Sequence, residues 1–206
     1  MLKIYFKTTK SNRLSKIKKI RDGVWININQ ADHDDLEEVA KITDLDLLDL
    51  QDTLDLQELP RIERHKDSII LFVRTPTDKD GDHQFVHTTP LSIIISDKYF
   101  ITISAEKNKM VKDIQKGSVS AATTQRGKLL VSLLLRVSQT FTNRVKEISY
   151  EVLSKKKQIE NIKNNDISEL IKYEDVLNQY ISALIPMRNV FENLVSGGYF
   201  RFYQED

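Results

Sequence analysis

Hydrophobic and polar positions follow two different periods along this chain. Up to about residue 120 the apolar residues come in short alternating or continuous runs; after it they recur every three or four residues. Leu2, Ile4 and Phe6 alternate with Lys3, Tyr5 and Lys7, which predicts a half-buried strand over 2–8. Ser11–Asn12 reads as a turn, and 14–20 as its return strand. Asp22–Gly23 is a second turn signal, followed by the strand Val24-Trp25-Ile26-Asn27-Ile28. Asp32 is placed to cap a helix with Asp34, Asp35 and Glu37 in its first turn, where the helix dipole favours anions. Leu36, Val39 and Ile42 form its apolar stripe. A second short helix is expected over about 47–56, with Leu47, Leu50 and Leu54 on one face.

Pro60 closes the helical stretch, because its ring disfavours helix in the preceding residue. Strands are predicted over 61–65, 68–75, 86–96 and 99–104, with a loop over 76–84. Pro90 within the third of these requires an edge position or a bulge. A short helix over 108–116, closed by Gly117, completes an α plus β part with a mostly antiparallel sheet.

From Thr123 onward the pattern is helical. Leu130, Leu134, Val137, Phe141, Val145, Ile148 and Val152 form one stripe, continued by Ile159 and Ile162. That predicts a helix of roughly 40 residues, or about 60 Å. Asn164–Asn165 break it, and Asp166 with Glu169 has the form of a capping box opening a second helix. Leu170, Tyr173, Leu177, Tyr180, Leu184 and Ile185 are its expected stripe. Pro186 should kink this helix and Gly197–Gly198 should end it. The short connection makes the pair an antiparallel hairpin, too long for the first part to cover alone.

Composition narrows the chemistry. The 206 residues carry a net charge of only +1, yet residues 1–21 hold eight Lys/Arg and no acid, while 32–58 hold eleven Asp/Glu against Lys41. A near-neutral chain without an aromatic stacking platform argues against nucleic-acid binding. There is no cysteine, so disulfides and thiolate metal sites are excluded. No signal peptide is visible, and no run approaches the roughly 18 apolar residues of a membrane helix. No G-x-S-x-G elbow, P-loop or G-x-G-x-x-G occurs, and an enzyme is the least supported class. The four histidines are scattered. His83 and His87, four apart on a loop and a strand, do not face one point. Asp78-Lys79-Asp80-Gly81-Asp82 lacks the bidentate Glu of a calcium loop and reads as a polar hairpin tip.

Carboxylates without His or Cys suit hard cations. Asp49 and Asp52, and likewise Asp52 and Asp55, stand three apart on one helical face. One helix cannot bring enough oxygens to a point, so a site here needs water or a second chain.

Three stretches, in order, resemble the CorA family of divalent-cation channels. Val24-Trp25-Ile26-Asn27-Ile28 is similar to the family's "WI-N/D-I" strand. Leu50–Glu63 resembles its acidic helix end leading to an "R-P-K-V-E" strand start. Ala183-Leu184-Ile185-Pro186-Met187-Arg188-Asn189-Val190 resembles its second long helix. The resemblance implies an α/β/α sandwich with a mostly antiparallel central sheet over 1–120, followed by a long antiparallel helical hairpin of "willow" type over 121–206. It implies a cytoplasmic regulatory region of a homopentamer, at the cytoplasmic face of the cell membrane. A stalk, two membrane helices and a Gly-Met-Asn loop would follow in the whole protein. This chain lacks them and is expected to be soluble, monomeric or weakly associated, and unable to transport by itself.

By the same resemblance, regulatory Mg²⁺ binds between subunits, where Asp52 matches the family's sensing Asp; Asp49 and Asp55 are secondary candidates. Gln51 stands where the better-known pattern has Glu, and residues 114–146 hold six Lys/Arg and no acid. The alternatives are a stand-alone cytosolic scaffold that kept the fold, and a zinc-transporting relative.

Overall fold

The computed structural model describes residues 2–11, 13–77, 87–108, 121–156, 164–196 and 199. Residues 78–84 of the expected loop, with His83, all but Asn108 of the helix expected over 108–116 together with Gly117, Ile159 and Ile162 of the first long stripe, and Gly197–Gly198 lie outside the described residues. Seven strands form one mixed sheet: β1 (Leu2–Phe6), β2 (Ser15–Ile17), β3 (Val24–Asn29), β4 (Arg61–His65), β5 (Ser68–Pro76), β6 (Thr88–Ile95) and β7 (Tyr99–Ser104). Their order across the sheet is β2-β1-β3-β7-β6-β5-β4. Only β3 and β7 run parallel, with Ile26 opposite Ile101; every other pairing is antiparallel.

Both faces of the sheet are covered, which is why its central strands read as continuous apolar runs. One face holds Ile4, Val24, Ile26, Ile28, Ile70, Phe72, Ile94, Ile101 and Ile103. Leu36 and Val39 of α1 (His33–Thr43) and Leu50 of α2 (Leu47–Gln51) pack there. The other face holds Tyr5, Trp25, Leu71, Val73, Leu91, Ile93 and Phe100, covered by α3 (Arg126–Lys156) and α4 (Asn164–Val195). The result is the expected α/β/α sandwich with a long helical pair.

Three buried polar side chains on β3 and β7 satisfy one another, whereas the buried Ser92 hydroxyl on β6 has no partner among the described residues. Trp25 Nε1 donates to Thr102 Oγ1 at 2.9 Å, and that hydroxyl donates to Asn27 Oδ1 at 2.9 Å. Gly23 has φ +80, the left-handed conformation glycine tolerates, and its N–H reaches the Lys98 carbonyl at 2.7 Å. A Cβ there would stand 2.8 Å from Thr124 Cγ2.

Several local expectations change. β1 lies between β2 and β3, and Tyr5 is buried rather than exposed on a half-buried strand. The expected helix over 47–56 is α2 followed by a 3-10 turn at Asp52–Leu54. Pro90 sits in the part of β6 that pairs with β5 alone, beyond the stretch paired to β7, so its missing N–H disrupts no ladder there. Asp166 is inside α4, which already includes Asn164, so it is not the cap. Pro186 lies inside α4, which continues beyond it to Val195.

The helical pair is antiparallel: Phe141 meets Tyr180 edge-on at 5.1 Å, while Glu151 accepts a hydrogen bond from the Tyr173 hydroxyl. Burial and that carboxylate beside it push the Tyr173 phenol up to about 12. The inner face of α4 is Tyr173, Val176, Tyr180, Ala183, Met187, Val190 and Leu194. Leu170, Leu184 and Ile185, expected in that stripe, are exposed, as is Val145 on α3. Ile167, Ile171, Ile181 and Ile185 instead line the opposite side of α4.

This difference is measurable. Met187→Ala should lower unfolding stability by about 2–5 kcal/mol. Ile185→Ala, two residues away but 64% exposed, should stay within about 0.5 kcal/mol of the parent. Urea midpoints of the two variants decide it, and equal losses would mean that the inner face is misplaced.

Candidate functional site

The acidic helix end faces the edge strand β4. α2 tightens into the 3-10 turn at Asp52–Leu54, where the buried Thr53 hydroxyl donates to the Leu50 carbonyl at 2.6 Å. Leu50 is buried and Leu54 packs beside the same core, so Asp49 and Asp52 are left on the outer side. The chain then reaches Pro60 and enters β4. Successive side chains of a strand point to opposite faces. Arg61, Glu63 and His65 therefore form one row, on the face that α1 and α2 cover. Arg61 stands over the Phe72 ring, 4.1 Å from its centre.

The two rows interlock as a ladder of alternating charge. His65 Nδ1 is 3.0 Å from Asp49 Oδ2, and its Nε2 is 3.0 Å from Glu63 Oε2. Arg61 Nε donates to Glu63 Oε1 at 2.8 Å, Nη2 to Asp52 Oδ2 at 2.6 Å, and Nη1 to the Glu58 carboxylate. One guanidinium thus serves three carboxylates through its three nitrogens. Asp52 is the most open of these three acids, with 53% of its side chain exposed against 11% for Glu58.

Arg74 fixes the main chain that presents Glu58. Its guanidinium is buried and donates to the Glu58 carbonyl at 2.7 Å, the Leu56 carbonyl at 3.1 Å and the Thr88 carbonyl at 2.7 Å. Burial lowers the Arg74 pKa, against the smaller pull of Asp55, Glu106 and Glu58.

The proton affinities follow the contacts. Burial alone would lower the Arg61 pKa, but hydrogen bonds to Glu63, Glu58 and Asp52 outweigh it and raise it further. Burial would raise Glu63, and its bonds from Arg61 and His65 prevail and lower it. The Glu63 hydrogen bond raises His65, more than burial lowers it, with Asp49 adding to the rise. Both ring nitrogens face carboxylates, and only the imidazolium can donate from both.

Asp49 and Asp52 are therefore brought into one network, and Asp55 is not. The Asp55 Oδ1 accepts the Gln57 N–H at 2.8 Å and holds the turn before Pro60. Among the described residues, no group of three or more His, Asp or Glu side chains is placed to hold a metal ion. A carboxylate such as Asp52 suits a hard cation in its chemistry. It supplies a single ligand, however, and Arg61 already stands on it.

Sequence reasoning missed the partners of these acids. The signal was present: in Arg61-Ile62-Glu63-Arg64-His65 a period of two places Arg, Glu and His in one row. His87, the other described histidine with a close acid, pairs with Glu106 at 2.9 Å and lies outside this network.

The CorA-like Mg²⁺ transporter protein family matches residues 21–205. The chain belongs to that family. A cobalt/magnesium transport protein CorA from Methanocaldococcus jannaschii is 28% identical over 93 residues, which is 45% of this chain and 28% of that protein. The soluble domain of CorA from the same archaeon superimposes with a TM-score of 0.79 at 19% identity, covering 94% of this chain and 78% of that one. The complete CorA magnesium transporter from the same source gives a TM-score of 0.83, also at 19% identity, covering all of this chain and 66% of its own length. The chain thus spans about two thirds of that complete transporter and a smaller share of the curated relative it matches. Among the described residues no helix of this CorA-like chain is long and apolar enough to cross a membrane.

The charge ladder makes stability depend on pH in a defined way. The Glu63 contribution is present in full above that group's ordinary value of 4.5 and is lost as pH falls through its lowered folded value. The His65 contribution is present in full below its ordinary value of 6.5 and is lost as pH rises through its raised folded value. The ladder is complete between those two ordinary values. The parent's advantage in Tm over His65→Gln should be largest at about pH 5.5 and should shrink as pH rises through the raised folded value of His65. Thermal melts followed by circular dichroism measure it, and an advantage that does not vary with pH would contradict the ladder.

Proposed function

We propose that this chain is the cytoplasmic regulatory part of a CorA-like transporter of Mg²⁺ and related divalent cations. The observation that carries this reading is the family match, which runs through nearly the whole chain. Residues 1–120 supply the sheet and the helices on one of its faces, and 121–206 supply the long helical pair that completes the α/β/α unit on the other. In the whole protein the chain assembles as a homopentamer, and the membrane pore lies in a part that these residues do not contain. Mg²⁺ and Co²⁺ are the first candidate cargoes, a choice supported by the name of the archaeal relative.

Regulation works through Asp52. Its half-exposed carboxylate, on the outer side of the 3-10 turn, faces a carboxylate of the adjacent subunit in the assembled ring. A dication between them converts like-charge repulsion into attraction across the interface. Loss of the ion at low cytosolic Mg²⁺ removes that link and shifts the population toward a looser, conducting ring. Asp49, held by His65, stays in reserve rather than in direct contact, and Asp55 shapes the turn.

The test is protease protection of the full-length protein. Millimolar Mg²⁺ should slow its digestion, and Asp52→Ala should need a several-fold higher Mg²⁺ concentration for the same protection. Equal protection of parent and variant would sink the sensing role of Asp52 while leaving family membership untouched.

A further inference from the structure

We propose that Arg61 is a built-in competitor for the cation at Asp52. The inference rests on the reading that Asp52 takes a divalent ion in the assembled protein. It adds what the single chain does when that ion is absent.

The guanidinium donates to Asp52 Oδ2 at 2.6 Å, to Glu63 Oε1 at 2.8 Å and to Glu58. The Glu58 and Glu63 bonds come from Nη1 and Nε, so they hold the group in place when Nη2 is not on Asp52. The Phe72 ring, 4.1 Å from the guanidinium carbon, holds it as well, and the whole side chain is only 30% exposed. Asp52 is the most exposed of the three acids. It is the contact that can open at least cost, because water can take over the freed carboxylate.

Two consequences follow. An empty site is not a bare carboxylate, because Arg61 neutralises Asp52 and weakens the repulsion that would drive subunits apart. A dication arriving at Asp52 must displace Nη2 and then share the carboxylate's surroundings with a fixed positive charge. Repulsion between a dication and a guanidinium at adjacent positions, even screened as in water, corresponds to roughly tenfold in affinity. Arg61 therefore sets the concentration at which the sensor responds and moves it upward.

The experiment uses the full-length protein, with Mg²⁺ as the probe and the Mg²⁺ concentration for half-maximal protection from chymotrypsin as the readout. That protease leaves the Arg61 position out of the comparison. Parent, Arg61→Gln, Asp52→Asn and the double variant are compared, with far-UV circular dichroism confirming the fold. Arg61→Gln should lower the half-protection concentration by roughly tenfold, and the gain should vanish in the double variant. Arg61→Lys, which keeps the charge, should stay near the parent. Should Arg61→Gln fail to fold, Arg61→Val, which suits a strand position, removes the charge and adds no chymotrypsin site, should give the same gain.

A half-protection concentration unchanged by Arg61→Gln, with protection still dependent on Asp52, overturns the competition and leaves the sensing reading standing. A gain that persists in the double variant also overturns it, because the ion then binds elsewhere. Protection that never depends on Asp52, in any background, overturns the sensing reading and the competition with it.

Discussion

The parallel pairing of β3 with β7 governs the rest of this architecture. Parallel neighbours cannot be joined by a tight turn, so the chain that leaves β3 at Asn29 must cross over before it can return to pair as β7. The crossover carries α1 and α2 over one face, then builds β4, β5 and β6 as antiparallel strands on the far side of β7. The helical segment that leaves β3 therefore ends where β4 begins, at the sheet edge. That path lays the acidic outer side of α2 against the Arg61-Glu63-His65 row. The ladder of charges is a product of topology, since Asp52 and Arg61 are nine residues apart and meet only because Pro60 turns the chain back along the edge.

An edge strand offers unpaired backbone and invites unwanted pairing, and charged side chains are a common defence. β4 follows that rule with four charged or ionisable residues in five. Here the same residues also fix α2. A guanidinium suits this position better than an ammonium. Its three nitrogens point in different directions within one plane, and each finds its own carboxylate while the central carbon stands over Phe72, 4.1 Å from the ring centre. A lysine would meet these acids as a single point charge and would lose the stacking.

The strands were largely legible because a sheet buried on both faces needs long apolar runs, and Ser68–Pro76 and Tyr99–Ser104 have them. The helical pair was harder. Its second stripe was read from the bulkiest residues, Leu184 and Ile185, whereas the buried line runs through Ala183 and Met187. Close approach to the sheet favours small or pliable side chains there, and four isoleucines on the opposite side give α4 apolar character all round, which blurs the period. Asp166 had the form of a cap but lies within a helix already under way. At the acidic helix end, the resemblance to CorA singled out Asp52 and the spacing added Asp49 and Asp55. Their different fates depend on what faces them: a strand row for the first two, and their own turn for Asp55.

Charge balance then separates this chain from the simplest picture of a carboxylate sensor. That picture needs a bare anion whose repulsion is relieved by metal. Around Arg61 the three acids carry three negative charges against one positive, so the cluster stays anionic and can still attract a dication at long range. At short range the most accessible of the three already has a partner. Net charge would thus draw the ion toward the edge of β4, while the local hydrogen bond decides how firmly it can settle. The two effects act at different distances and need not change together when one residue is replaced. Gln51 fits the same logic, because an uncharged amide beside Asp52 removes the second carboxylate that would help an incoming cation displace the guanidinium.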